Sequence, residues 1–206
     1  MSLLTNWGYI LTDVETLEPM LSDEEFSDFT AAKYDDDQRI TPDIAAACSA
    51  IRNYCGWHVY PSLACRFEST FFDRHVTRSG NNLLIQLPAK YVSSISSVSI
   101  NGSLYTAYVS ETNGLLKVYG VPYAPEYAPI VVEYIAGLPE YLMDGVKELV
   151  AHRVTHALAS SGGVQSETAG GVSITYSANW TNSARATALA DDNKEVLAPY
   201  RLQGVF

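Results

Sequence analysis

The hydrophobic residues of this chain change their spacing twice, and this limits the folds that it can adopt. A helical period holds through "TPDIAAACSAIRNYCG", a period of two holds over residues 58–137, and the helical period returns in "LPEYLMDGVKELVAHRVTHALASSGG". Helices place every third or fourth residue on one face, whereas strands place every second residue there. The pattern predicts an α+β fold, a small antiparallel helical bundle with an inserted antiparallel β sub-domain at residues 58–137.

Residues 1–57 are predicted to contain two helices of the bundle. Ser22 can cap the first, and the acidic residues of "SDEEFSDF" suit the positive end of its dipole. The second has Thr41 as its N-cap, Pro42 at its first position and Gly56 after its end. Its apolar face is formed by Ile44, Cys48, Ile51 and Cys55.

Six short runs rich in Tyr, Val and Ile follow as predicted strands. Gly, Pro, Asn and Ser separate them, and Asn101-Gly102 favours a two-residue hairpin turn. The runs are "ACRFESTFFDRHV", "NLLIQLP", "SSISSVSING", "LYTAYVS", "GLLKVYG" and "PIVVEYIAG". Their spacing is typical of an antiparallel sheet or a small barrel.

Residues 138–206 are predicted to hold a long helix, an extended arm or hairpin at residues 163–180 and a short last helix. The long helix has an apolar stripe that ends before Gly162-Gly163, and the helix over residues 44–55 is its obvious packing partner. The stripe comprises Leu142, Val146, Leu149, Val150, Val154 and Leu158. In the last helix, a weaker pattern places on one face Leu189, Val196, Leu197 and Tyr200.

The charge of the chain excludes some classes of partner. Of the net charge of −10, most comes from residues 1–40, which hold ten acidic and two basic side chains. No stripe of Lys and Arg could neutralise phosphates, which argues against ordinary nucleic-acid binding, although DNA could pass such a surface without sticking. No run reaches the roughly 20 apolar residues that cross a bilayer, and no basic residue precedes the N-terminal apolar positions. We expect a protein that is neither secreted nor membrane-bound.

Candidate metal-binding and catalytic motifs are weak. His152 and His156 have the spacing of two zinc ligands on a helix, but Arg153 stands where a metalloprotease has its general-base Glu. Three cysteines without a CxxC pair predict buried free thiols. "DDDQRITPD" lacks the Gly and the final Glu of a calcium loop. We therefore expect no metal, no cofactor and no catalysis; a metal-dependent hydrolase is a distant alternative.

The stretch "SETAGGVSITYS" raises the question of a phosphate-binding loop. A Walker loop needs Lys and Ser or Thr directly after its last Gly, whereas Val172 follows Gly171. The alternation from Val172 to Tyr176 predicts a strand instead. A lone strand is marginal, so it either folds back as a hairpin or pairs with another chain.

The order of these segments resembles the head-to-tail connector, or adaptor, proteins of tailed bacteriophages. The resemblance rests on "IRNYCGWHVYP", "LLIQLPAKYVSSISSVSINGSLYTAYVSETNGLLKV", "IVVEYIAGLPEYLMDGVKELVAHRV", "SETAGGVSITYS" and "LAPYRL", over residues 41–202. It implies a structural virion protein of the neck, a homo-oligomeric ring of about twelve subunits below the portal. DNA would pass through its channel, and the next neck, stopper or tail protein would dock on it.

The resemblance also implies two sets of functional residues. The portal is expected to bind a C-terminal segment of Leu197, Ala198, Pro199, Tyr200, Arg201, Leu202 and Phe206. Neighbouring subunits or the next tail component are expected to contact an arm that includes Glu167, Gly170, Gly171, Val172, Ile174 and Tyr176. Aromatic and Arg anchors at the chain end suit protein contacts, although core packing of a terminal helix is an alternative for them. A carbohydrate-binding or other tail-associated β module is the alternative function.

Overall fold

A computed structural model of the protein describes residues 2–33, 38–123, 125–160, 166–169, 172–175 and 191–202. In these residues the fold is α+β, as predicted, with antiparallel sheets and four α-helices. The chain divides into two compact units. The β unit comprises Met1–Glu18, Cys55–Tyr141 and Tyr200–Phe206, and the helical unit comprises Pro19–Tyr54 and Leu142–Pro199.

The β unit contains two antiparallel sheets. The first has the strand order β1-β2-β3-β10-β6-β7, and the second has the order β4-β5-β9-β8. The strands are β1 (Leu3–Leu4), β2 (Tyr9–Leu11), β3 (Leu63–Thr70), β4 (Val76–Ser79), β5 (Asn82–Gln86), β6 (Val92–Ile100), β7 (Ser103–Leu104), β8 (Tyr108–Ser110), β9 (Leu115–Val118) and β10 (Pro129–Ala136). Every predicted run contains a strand, and two of the runs each contain parts of two strands.

Alternation of apolar residues builds the core of this unit. Strand β10 lies at the centre of the first sheet, between β3 and β6, and every second residue from Ile130 to Ala136 is buried. The predicted turn at Asn101-Gly102 joins β6 to β7, and both residues have positive φ, 50° and 77°. That backbone is the one that Asn-Gly favours in two-residue hairpins. The hairpin prediction is confirmed.

The N-terminal residues differ from the prediction. We expected only helices before residue 58, but β1 and β2 form the edge of the first sheet, where β2 pairs with β3. Leu11 is fully buried and Tyr9 is 1% exposed. Strands of two and three residues carry too little periodicity to be recognised, and β3, the partner of β2, lies more than 50 residues away along the chain.

The helical unit holds helices α1 (Asp23–Thr30), α2 (Ile40–Cys55), α3 (Asp144–Ser160) and α4 (Asp191–Leu197). Ser22 caps α1 as predicted, because its hydroxyl accepts the Glu25 N–H while the Glu25 carboxylate accepts the Ser22 N–H. Helix α2 begins at Ile40, so the prediction of Thr41 as N-cap is wrong. The Thr41 hydroxyl donates to the Asp23 carboxylate at 2.7 Å, which links α2 to α1.

Helix α3 buries the predicted stripe. Val146, Leu149, Val150, Val154 and Leu158 are all buried, whereas Leu142 is half-buried in a short 3-10 helix (Glu140–Leu142) before α3. Helix α3 contacts α1 and α4. Lys147 on α3 donates to Glu25 on α1 at 2.8 Å, which links the two helices. Packing of the stripe against α2 stays a prediction.

After α3, strands β11 (Ser166–Ala169) and β12 (Val172–Thr175) pair with each other in antiparallel register. Of the two alternatives for "SETAGGVSITYS", the chain therefore adopts the hairpin. The prediction that four residues share one face of the last helix is wrong: Leu197 is fully buried and Val196 is 49% exposed. Consecutive helical residues lie about 100° apart, and of these two only Leu197 is on the buried side of the helix. Leu189 lies outside the described residues.

Candidate docking surface

The C-terminal segment, residues 197–202, was predicted to bind the portal, and its last part is held on the β unit by its backbone. The Trp57 indole N–H donates to the Tyr200 carbonyl at 2.8 Å, and the Leu202 N–H donates to the Cys55 carbonyl at 2.9 Å. Trp57 is fully buried. Two backbone hydrogen bonds to rigid partners fix the direction of the chain at this point.

A row of aromatic rings supports the same residues. The Tyr91 ring lies 6.5 Å from that of Trp57, with an interplanar angle of 14°, and 6.2 Å from that of Tyr200. Burial raises the pKa of Tyr91, and the nearby hydroxyls of Tyr200 and Tyr141 add to the effect. Burial thus favours the uncharged form of Tyr91.

Glycine at position 56 matters to this row for two reasons. Its φ of +79° ends α2, as predicted, and the Leu202 side chain lies within 3.8 Å of the position that a Cβ would take. Gly56 therefore both ends α2 and lies against the Leu202 side chain.

The first part of the segment belongs to the helical unit. Leu197 is fully buried, and the Lys194 carbonyl accepts the Tyr54 hydroxyl at 3.2 Å. Ala198 and Pro199 follow in a 3-10 helix (Ala198–Tyr200), and both are exposed. Leu197 thus anchors the segment, and the two residues after it face solvent.

The seven residues that we predicted to bind the portal therefore have different surroundings. Ala198, Pro199 and Arg201 are exposed, and Tyr200 and Leu202 are half-buried. Leu197 is buried, and Phe206 lies outside the described residues. Sequence analysis missed Trp57 and Tyr91 as supports, although Trp57 directly follows the predicted helix stop at Gly56. The exposed side chains of the segment thus include a Pro on the helical unit and an Arg on the β unit.

The residues predicted for the arm fall partly on the hairpin. Glu167 lies opposite Ile174, and Ala169 lies opposite Val172. Gly170, Gly171 and Tyr176 lie outside the described residues. Two residues separate the paired strands, as in the shortest hairpins.

His152 and His156, predicted to be ordinary histidines rather than metal ligands, are both exposed on α3. The His152 ring meets the Phe29 ring edge-on at 5.4 Å, and its Nε2 lies 3.6 Å from a Glu148 carboxylate oxygen. Across the residues that the structure describes, no three His, Cys, Asp or Glu side chains are arranged to hold a metal ion.

The three cysteines are buried and free, as predicted: Cys48, Cys55 and Cys65. Burial raises the pKa of Cys48, and it raises the pKa of Cys55 and of Cys65 to about 12. Thiols with such pKa values are protonated and unreactive at neutral pH.

A family model for head completion proteins matches residues 19–201, which includes all of the helical unit and most of the β unit. The chain belongs to the phage head completion protein family. Members of this family are head-to-tail connectors, so the resemblance that the sequence indicated is confirmed. The protein has a connector role at the head–tail junction of the virion, where it interacts with other head and neck proteins.

The family match begins at residue 19 and therefore includes α1, which lies before residues 41–202, on which the sequence resemblance rests. No curated protein matches the head completion protein significantly. Among its described residues, no helix has the length and apolar character needed to cross a membrane.

Proposed function

We propose that this head completion protein forms a homo-oligomeric ring of about twelve subunits below the portal and extends the DNA channel. The next neck, stopper or tail protein docks on the ring. The family match supports this function, and because it covers the helical unit as well as the β unit, it favours a connector over a carbohydrate-binding module.

Portal binding is assigned to the C-terminal segment. The observation that carries the assignment is the exposure of Ala198, Pro199 and Arg201 beside the anchored Tyr200 and Leu202. A side chain on a fixed backbone loses less entropy when it binds than one on a free chain end. Arg is also enriched among the residues that dominate interface energies.

Contacts between subunits or with the next tail component are assigned to the hairpin of β11 and β12. A two-stranded hairpin is marginally stable by itself, and the outer edges of both strands can accept a further strand.

The chain's acidity suits a channel for DNA, because phosphates are not attracted to an acidic or neutral wall and pass it with little friction.

The test uses heads of the encoding phage that were assembled without this protein. Purified protein is added, bound protein is separated by sedimentation, and the particles are imaged by electron microscopy. We expect binding in a fixed ratio, with a ring visible at the portal vertex. If the wild-type protein does not bind these heads, the proposed function is wrong.

Substitutions then test the C-terminal segment. The double variant Ala198→Asp with Arg201→Glu is expected to bind heads at least about tenfold more weakly, since each change puts a carboxylate on the proposed contact. Glu195→Lys is the matched control, because it reverses one exposed charge on α4 outside the proposed contact. Binding of the double variant at the wild-type level would contradict the portal assignment.

A further inference from the structure

The β unit exposes a cluster of aromatic side chains beside strand β4, here called the β4 edge. Phe72 is 61% exposed, Tyr123 is 85% exposed and Tyr127 is 77% exposed. The rings of Phe72 and Tyr127 lie 5.1 Å apart, and the Arg78 guanidinium lies 5.8 Å from the Tyr123 ring. Large aromatic side chains exposed to this degree and grouped together indicate a surface that another molecule covers.

This cluster is held in position before any partner binds. Arg78 Nη2 donates to the Val121 carbonyl at 2.9 Å and Nε donates to the Gly80 carbonyl at 3.2 Å. Its guanidinium also lies 5.9 Å from the Phe71 ring. An anchored Arg between aromatic rings lowers the entropy that the cluster loses on binding.

The opposite edge of the same sheet has a second apolar surface, here called the β8 edge. The strand order β4-β5-β9-β8 places β4 and β8 at the two edges, and the described residues add no further strand outside either. Val109 on β8 is 55% exposed. Leu104 on β7 is 75% exposed, and the Tyr108 hydroxyl donates to the Ile95 carbonyl of β6, which pairs with β7.

We propose that the β4 edge of one subunit binds the β8 edge of the next subunit in the ring. Two different surfaces on opposite edges of one sheet suit head-to-tail contacts, which close into rings. Charge favours the same pairing: residues 71–80 carry Arg74, Arg78 and one Asp, whereas residues 103–112 carry only Glu111. Pairing two β4 edges would instead bring like charges together.

This contact rests on the proposed function, and it names a surface of the ring that the hairpin does not supply. The contact is made by side chains: the apolar Val109 and Leu104 of one copy meet the aromatic cluster of the other.

Cross-linking of single-cysteine variants tests the proposal. Thr77→Cys places a thiol on β4 and Val109→Cys places one on β8, both at exposed positions. The variants are mixed on heads that lack the protein and treated with a short bis-maleimide. We expect cross-linked dimers that contain one copy of each variant, and a ladder of higher oligomers from a chain that carries both cysteines. The wild-type protein is the control for the native thiols, which are buried.

Each outcome decides one proposal. Dimers of one variant with itself, or no cross-links at all, would overturn the edge contact. Sedimentation of the same samples tests the proposed function separately: a protein that binds heads without forming mixed dimers is a connector with another subunit contact.

The double variant Phe72→Ser with Tyr127→Ser should lower the yield of mixed dimers about tenfold. Leu4→Ser, which removes a side chain that is 75% exposed on β1, should leave it unchanged.

Discussion

The Tyr9 hydroxyl and the His58 ring are joined by a fully buried hydrogen bond, with 2.8 Å between the hydroxyl oxygen and Nδ1. The His58 backbone N–H donates to the same hydroxyl oxygen at 3.0 Å, and Nε2 lies 2.9 Å from the Ala136 carbonyl. The Ala136 carbonyl can only accept, so the His58 Nε2–H donates to it. Nδ1 is then an acceptor, and the Tyr9 hydroxyl donates to Nδ1. This network ties β2 and β10 to the residue that follows the turn after α2.

Removal of the Tyr9 hydroxyl should therefore destabilise the protein. We expect Tyr9→Phe to lower the free energy of unfolding by about 1–3 kcal/mol, because a buried N–H and Nδ1 both lose their partner. Urea denaturation followed by tryptophan fluorescence measures the change.

Tyr134→Phe is the matched control for Tyr9→Phe. The two rings lie 6.5 Å apart and both are buried, but the Tyr134 hydroxyl has no hydrogen-bond partner among the described residues. The Cys65 thiol, on the paired residue of β3, donates instead to the Leu63 carbonyl at 3.4 Å. Loss of an unpaired buried hydroxyl should leave stability unchanged or raise it. Equal losses in both variants would contradict the role of the network.

Gly114 is predicted to tolerate no side chain. Its φ is +86°, and a Cβ there would overlap the Ala89 carbonyl oxygen and lie 3.1 Å from the Leu87 carbonyl oxygen. Both oxygens belong to the backbone, so they cannot move aside as the end of a flexible side chain could. We expect Gly114→Ala to lower the free energy of unfolding by at least about 2 kcal/mol, from backbone strain and overlap together.

Gly102→Ala separates these two effects in the same denaturation experiment. Gly102 has a similar φ of +77°, but nothing lies within 4 Å of its Cβ position. Its alanine variant should lose only the cost of the left-handed backbone, about 1 kcal/mol. A loss at Gly114 no larger than at Gly102 would show that the overlap is relieved.

The charge of Glu25 should make part of the stability dependent on pH. The hydrogen bond from Lys147 lowers the pKa of the Glu25 carboxyl, with a further contribution from the Ser22 backbone N–H. A carboxyl with a lowered pKa in the folded state stabilises the protein above its unfolded pKa, about 4.3, and the benefit is lost as the pH falls through the folded value.

Glu25→Gln isolates this charge, because the Gln amide oxygen can still accept the Ser22 N–H. At pH 7 we expect the variant to be less stable by at most about 1 kcal/mol, since the pair is solvent-exposed and screened by salt. The difference should shrink as the pH falls below 4. Denaturation curves of both proteins between pH 7 and pH 3 measure it, and a difference that grows in acid would contradict the ion pair.

The buried thiols should protect the protein from thiol reagents. A pKa of about 12 for Cys55 and Cys65 leaves about one thiol in ten thousand ionised at pH 8. Ellman's reagent should therefore react with none of the three native thiols on the time scale of minutes, and with all three in guanidinium. Rapid reaction of the folded protein would mean that at least one thiol opens to solvent.

The sequence by itself determined the elements whose signals are local. Gly56 ends α2 and Ser22 caps α1, as predicted, because capping and stop signals depend only on neighbouring residues. Each period-two run contains a strand, and Asn101-Gly102 forms the hairpin turn. The order of these segments was also sufficient to indicate the family.

The tertiary structure alone decided which strands pair and which side chains are buried. Strands β1 and β2 are too short to carry a pattern; β2 pairs with β3, more than 50 residues later in the chain, and β1 pairs with β2. Helix α2 begins at Ile40 rather than after Thr41, and the Thr41 hydroxyl donates to the Asp23 carboxylate of α1. The anchors of the C-terminal segment, Trp57 and Tyr91, lie more than 100 residues before it. Such contacts depend on packing between distant segments, and no local pattern encodes them.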